Sequence, residues 1–120
     1  MCNIHIEKIG NMTVVECQGR IARSDAAFRL RDAVISQADA AIVVLDLSEL
    51  YTLEGGALGI LVFLQRWAQN HDIQLKVFNP SCSVRETLKL ASTITEFEIA
   101  TLHEMMALLA QAERSNSLAA

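Results

Sequence analysis

Residues 42–91 read IVVLDLSELYTLEGGALGILVFLQRWAQNHDIQLKVFNPSCSVRETLKLA, and they carry a strand, a helix, a strand and a second helix in succession. Ala41 to Leu47 is an apolar, β-branched run interrupted only by Asp46 near its end, the pattern of a strand buried on both faces. Ser48 to Glu54 then reads as a loop. Gly55-Gly56 opens a mostly buried helix from Ala57 to Ala68, with Leu58, Leu61, Leu64 and Ala68 on one face. Ile73 to Phe78 alternates as a strand. Asn79-Pro80 supplies an N-cap and first turn for the next helix, whose apolar face is Val84, Thr87, Leu88 and Ala91. Strands that alternate with helices in this way are joined by right-handed crossovers and lie parallel in one sheet.

Toward the N-terminus, Ile4, Ile6 and Ile9 alternate with polar residues, and Met12 to Cys17 forms a second such run after Gly10-Asn11. Two strands and a Gly-Asn turn make a β-hairpin, with Gly19 ending its second strand. Ser24 is a good N-cap and Asp25 suits a first turn, so Ser24 to Gln37 reads as a helix. Its expected inward face is Phe28, Val34, Ile35 and Ala38. Toward the C-terminus, Glu96 to Ile99 reads as a short edge strand. Thr101 caps a last helix from Leu102 to about Glu113, with Leu102, Met105, Met106 and Leu109 inward. The order is β-β-α-β-α-β-α-β-α. It specifies an α/β domain, a mixed sheet of about five strands with about four helices on it, spanning residues 1–114 and followed by a short tail at 115–120.

The 120 residues are one domain's worth of chain, and 52% of them are hydrophobic, which excludes disorder as the overall state. The net charge of −4 and the lack of a basic stripe argue against nucleic acid as a partner. Ala57 to Leu64, the longest clearly apolar stretch, falls far short of the roughly 20 residues that span a bilayer. The N-terminus lacks a signal peptide's basic start and apolar block. Three widely spaced cysteines, Cys2, Cys17 and Cys82, form no CxxC pair, so neither a disulfide framework nor a zinc site is indicated. A reduced, cytoplasmic setting is expected.

Residues able to carry chemistry are scattered. His5, His71 and His103 belong to no metal motif, since position 107 of the HExxH frame is Ala. No G-x-S-x-G elbow surrounds a serine. Cys17 ends a strand and reads as a small packed residue, whereas Cys82 near a helix start is the thiol that would be activated if exposed. Gly55-Gly56-x-x-Gly59 stands between strand and helix, where phosphate loops occur, yet it lacks the Lys-Ser/Thr of a Walker loop and the G-x-G-x-x-G of a dinucleotide fold. Tight loop geometry and close helix-to-sheet packing is the simpler reading of these glycines. Exposed amides at that helix start would otherwise suit an acidic group. No cofactor is implied. Trp67 and Phe63 read as core or helix-face residues. The Met105-Met106 pair leaves one methionine off the inward stripe, a surface for a partner or a homodimer.

Taken in order, these motifs resemble the STAS domain, the fold of bacterial anti-sigma factor antagonists. The resemblance rests on the buried strand ending in Asp46 and on Leu58-Gly59 leading an apolar helix. It rests also on Asn79-Pro80-Ser81 followed by Val84-Arg85-x-x-Leu88, and on Gly19-Arg20-Ile21 in place of a Gly-x-Leu turn. It covers nearly the whole chain. It implies a protein-binding module, not an enzyme. In that family a loop serine within Asp-Ser-Ser-Gly is phosphorylated by a partner kinase that is also the anti-sigma factor, and only the unphosphorylated form binds. A phosphate adds nearly two negative charges to the contact surface and breaks a close fit.

This chain departs from the family at that loop. Glu54, Gly55, Gly56 and Ala57 stand where Asp-Ser-Ser-Gly would, so Gly55 offers no hydroxyl at the phosphorylated position. Ala22 replaces an acidic residue that often follows the Gly-x-Leu turn. Thr52 is the nearest hydroxyl and the substitute acceptor to consider. The resemblance implies partner contacts at Arg20, Ser24, Thr52, Glu54, Gly55, Gly56, Ala57 and Leu58. Two kinds of partner fit: an anti-sigma or kinase-like ATPase, or the ATPase of an ABC-type lipid or solute transport system that small STAS subunits brace. An enzyme built on Cys82 or Glu54, or a nucleotide-binding variant, is the third and weakest reading.

Overall fold

The computed structural model describes residues 2–21, 24–54, 56–91 and 94–119; the side chains of Ser24 and residues 115–119 lie outside that description. The chain forms β1 (Cys2–Ile9), β2 (Met12–Ile21), α1 (Ser24–Ile35), β3 (Ile42–Leu53), α2 (Ala57–Asn70), β4 (Gln74–Phe78), α3 (Cys82–Lys89), β5 (Glu98–Ala100) and α4 (Leu102–Ala119). The five strands make one sheet in the order β1-β2-β3-β4-β5. β1 runs antiparallel to β2 through a turn at Gly10, whose φ of 58° is the left-handed value glycine adopts freely. β2 to β5 are all parallel, because each pair is joined through a helix.

Alternation along the strands divides the core in two. Val15, Cys17, Val43, Leu45, Leu47, Leu75 and Val77 face α1, α2 and α3. Met12 and Val44 face the opposite way, toward Met105 and Ala112 of α4. A parallel strand covered on both sides has no polar face, which is why residues 42–45 read as a continuous apolar run.

Several local expectations are corrected. Residues 48–53 are strand, not loop: β3 runs on to Leu53 and stays paired with β2 through Gln18–Glu49, Arg20–Thr52 and Ile21–Leu53. Register shifts at Glu16/Gln18 and Gly19/Arg20 bend this ladder, so Leu50 and Leu53 enter the core at a spacing that breaks strict alternation. Gly19 (φ 101°) therefore sits in a bulge inside β2 and does not end it. In α1 the inward face is Ala26, Ala27, Leu30 and Val34, while Phe28 is exposed with the Arg31 guanidinium 4.9 Å from its ring. The two alanines let the helix lie close to the sheet, where a phenylalanine would hold it away. Ser81, not Asn79, caps α3: its hydroxyl accepts from Val84 N at 3.3 Å, and Asn79 adopts φ 51° one step earlier. Phe63 is exposed, whereas Trp67 is half-buried against the core and stacks on His71 with 4.8 Å between ring centroids.

In α4, Met105 is buried but Leu102 and Met106 are exposed. The helix continues past Glu113 to Ala119. Its start is as expected: Glu104 N donates to Thr101 Oγ1 (3.1 Å) and Thr101 N donates to Glu104 Oε1 (3.2 Å), a reciprocal capping box.

Candidate functional site

Each of α1, α2, α3 and α4 follows a parallel strand, so all four N-termini emerge at the same edge of the sheet. Open α/β sheets present their ligands and partners with that carboxyl edge. Within it, β2 and β3 form a continuous platform. Glu54 N donates to Ile21 O at 2.7 Å, which ties the end of β3 to the end of β2 just before α2 begins. Arg20 and Glu54 are both exposed there, and neither side chain makes a hydrogen bond or ion pair among the described residues.

A polar strap fixes the neighbouring α3 to the same platform. Asp46 Oδ1 accepts from the Ser48 hydroxyl (2.5 Å) and from Ser48 N (3.0 Å). Asn79 Nδ2 donates to Ser48 Oγ at 3.3 Å, and the Ser81 hydroxyl donates to Leu50 O at 3.5 Å. Asp46, Asn79 and Ser81 thus act on the fold by holding the β4–α3 connection against β3.

The start of α2 is different in kind. Ala57 is buried and Leu58 is half-buried against the core, whereas Gly56 and Gly59 are exposed. A Cβ built on either glycine would meet no atom within 4 Å. Neither has the positive φ that demands glycine. Close helix-to-sheet packing therefore explains neither; Gly56 serves as the N-cap where the loop meets the helix, and Gly59 stands inside the helix without a packing reason. Continuing at helical spacing, Phe63 and Arg66 are exposed on the same side of α2 as Gly56 and Gly59. The result is an outward stripe that begins with bare backbone and ends with an aromatic ring and a cation. The missing side chains at its start leave room for a second molecule to approach the helix backbone.

The remaining expected site residues divide between what is described and what is not. Arg20, Thr52, Glu54, Gly56, Ala57 and Leu58 converge on the β2–β3 edge and the α2 start. Gly55, Ala22 and the side chain of Ser24 lie outside the described residues. Thr52 is paired with Arg20 in the ladder, and its hydroxyl oxygen is buried without a hydrogen-bond partner. That hydroxyl is not presented to an incoming phosphoryl group, which must approach in line with it. Sequence patterns did not single out Phe63 and Arg66 as a shared outward stripe; the exposed Gly-x-x-Gly-x-x-x-Phe spacing was the available signal.

The other reactive groups are placed as follows. His5 lies in β1, His71 at the C-cap of α2 with Nδ1 2.8 Å from Trp67 O, and His103 near the start of α4. Among the described residues no three His, Cys, Asp or Glu side chains cluster to hold a metal ion. Burial pushes the Cys17 thiol far up, with the charges of Cys2, Asp46 and Glu16 adding to it, and burial likewise raises Cys2. Both are held as inert thiols, and Cys82 is the exposed one. No described helix is long and apolar enough to cross a membrane.

A five-stranded mixed sheet with three helices on one face, a fourth on the other and four helix starts at one edge defines an α/β domain with a single open sheet. The STAS domain profile matches residues 3–106, and the chain belongs to the STAS domain family. An anti-sigma factor antagonist from Mycobacterium paratuberculosis superposes with a TM-score of 0.75 at 19% identity, over 92% of this chain and 95% of that one. The anti-sigma factor antagonist SpoIIAA in its unphosphorylated form gives 0.74 at 14% identity, over 91% and 97%. RsbS from Moorella thermoacetica, carrying a serine-to-glutamate substitution, gives 0.67 at 16% identity, over 93% and 98%. At such identities these likenesses establish the fold. No curated protein sequence matches the chain significantly.

Proposed function

We propose that this STAS domain is a protein-docking module whose partner sits on the β2–β3 edge and the outward stripe of α2, and whose docking is not switched by phosphate at the family's loop serine. The observation that carries this reading is the exposed glycine inside the first turn of α2, Gly59, with the bare backbone of the N-cap Gly56 beside it. Gly56 is the N-cap of α2, where glycine is a favoured residue, but Gly59 stands inside the helix, where glycine costs about 0.5–1 kcal/mol relative to alanine, and nothing around it in the chain requires it. A second molecule packing on the helix backbone supplies the reason. Arg20, Ser24, Thr52, Glu54, Gly55, Gly56, Ala57 and Leu58 are the assigned contacts. Arg20 and Glu54 set the polar rim of the surface, and Phe63 supplies an aromatic anchor of the kind that dominates interface energies.

The absence of phosphate control follows from chemistry at two positions. Gly55 has no acceptor oxygen, and the Thr52 hydroxyl is buried. The partner is an ATPase, of the kinase-like anti-sigma type or, as the second possibility, of a membrane transport system. Tagged chain recovered from its native cell distinguishes them by the ATPase that co-purifies. A Gly59→Trp variant with an unchanged circular dichroism spectrum is expected to lose that ATPase, and equal recovery by the variant defeats the proposed surface. Incubated with the recovered partner and ATP, the native chain stays unmodified while Gly55→Ser gains one phosphate; stoichiometric phosphate on the native loop defeats the ungated reading.

A further inference from the structure

We infer that β1 is a self-association edge, on which a second copy of this chain pairs antiparallel about a two-fold axis through Ile6. β1 is the first strand of the sheet and is paired on one side only, with β2. The turn between the two strands fixes which main-chain groups of β1 are free. Ile9 and Met12 face each other across Gly10 and Asn11, with φ 58° at Gly10 and no positive φ at Asn11. That is a two-residue type II′ turn, whose closing pair exchanges both main-chain hydrogen bonds. Bonded pairs alternate along an antiparallel ladder, so Ile9, Glu7, His5 and Asn3 bond to β2. The N–H and C=O groups of Cys2, Ile4, Ile6 and Lys8 point outward instead.

The Cys2 end of this edge is closed by the chain itself, since Arg29 Nη2 of α1 donates to Cys2 O at 2.9 Å. Among the described residues, nothing bonds to the outward groups of Ile4, Ile6 and Lys8. β1 is eight residues long, has no proline, and pairs with β2 without a register shift. Glu7 and Lys8 form no ion pair among the described residues. Their charges repel a second strand in some registers and attract it in others, so they select one register rather than guard the edge against all.

That selection makes a second copy the occupant. A two-fold contact is self-complementary, and centred on Ile6 it bonds Ile4 to the other copy's Lys8, Ile6 to Ile6 and Lys8 to Ile4. About six main-chain hydrogen bonds form, and every outward group that Arg29 leaves free is used. His5 then stands directly opposite the other copy's Glu7, twice, where an imidazole N–H donates to a carboxylate. Ile6, 42% exposed in the single chain, covers its own counterpart, and the Lys8 stem lies along Ile4 with its ammonium in water. Moving the axis to His5 sets Lys8 against the Cys2 carbonyl that Arg29 already holds. Moving it to Glu7 puts two carboxylates face to face and Ile4 opposite the turn at Gly10. The hydrogen bonds fit any strand, but the reciprocal His5–Glu7 pairs fit this one. About five residues a side fall short of the roughly 20–30 of a standard interface, so the dimer is weak and concentration-dependent. β1 contributes no residue to the proposed partner surface, which both copies keep.

Sedimentation velocity of the full chain, from low to several hundred micromolar, tests this directly. The native chain is expected to shift from its monomer mass of 13.2 kDa toward twice that value. Ile6→Pro removes an outward N–H without touching the bonds to β2, so the circular dichroism spectrum stays and the dimer is lost. Ile6→Lys sets two ammonium groups face to face and raises the dissociation constant about tenfold. His5→Glu and Glu7→His, both at exposed positions, each weaken the dimer, and the two together restore it. This exchange decides the matter even if the proline disturbs the strand. A native chain that stays monomeric throughout overturns the inference. So does a dimer indifferent to Ile6→Lys, or one that the double exchange does not restore.

Discussion

Gly59→Ala separates a residue kept for folding from one kept for docking. Gly59 is the third residue of α2, its φ is not positive, and an added Cβ meets nothing within 4 Å. The substitution therefore brings no clash and no strain. It removes backbone freedom from the unfolded chain and stabilises the fold by about 0.5–1 kcal/mol. Unfolding entropy near 2.1 cal/mol/K per residue gives about 0.25 kcal/mol per degree for 120 residues. The Tm should rise by about 2–4 °C, measurable by scanning calorimetry and checked by urea unfolding at unchanged m. A fall in Tm would refute the reasoning, because it would mean that the chain's own packing needs the bare backbone. Gly59→Trp starts from the same unobstructed Cβ position and directs its ring outward from an exposed site, so it should be tolerated by the fold. Stability gained or kept while partner binding falls is the signature of a surface shaped by a second molecule.

Thr101→Ala removes half of the α4 capping box and should cost about 1 kcal/mol, seen as a drop of about 4 °C in Tm; an unchanged melt would mean the box contributes nothing. Leu64→Ala empties a fully buried position between α2 and the sheet and should cost about 2–5 kcal/mol, read from the urea midpoint. A disulfide-exchange reagent at pH 8 should label Cys82 quickly and reach Cys2 and Cys17 only on unfolding, so more than one fast thiol would contradict the burial described. The folded chain holds those two thiols protonated past the ordinary thiol pKa of 9.0. Their contribution to stability is accordingly complete below about pH 9 and declines as the pH rises above it, a slope that Cys17→Ala should flatten.

Element order was legible in the sequence because each element has its own period. The alternating β1 and β2, the doubly buried start of β3 and the helical spacing of α2 and α3 follow from local pattern alone. Boundaries failed where a neighbour supplies the reason for a conformation. Residues 48–53 look like loop because their polar side chains alternate irregularly, yet the paired end of β2 keeps them extended. Phe28 reads as inward because it is large and apolar, but the small Ala26 and Ala27 take that face and bring α1 close to the sheet; Phe63, which reads as core or helix face, is exposed because α2 turns its leucines inward. Leu102 and Met106 fell to the same cause, since α4 rests on the sheet through Met105 and Ala112.

The candidate site was legible only in part. The Asp46, Asn79-Pro80-Ser81 and Leu58-Gly59 motifs all fall at the carboxyl edge of the sheet, but a one-dimensional pattern does not distinguish a strap from a docking surface. Hydrogen bonds assign Asp46, Asn79 and Ser81 to the strap. Open space around Gly56 and Gly59 is what makes the start of α2 the proposed docking surface. Sequence alone determined the α/β order, the family resemblance and the lack of a hydroxyl at Gly55, because periodicity and residue identity are local properties. Tertiary structure decided that Gly56 and Gly59 face outward and that the Thr52 hydroxyl is buried. Each of those depends on what lies across the gap from a side chain, and only the folded chain brings those groups together.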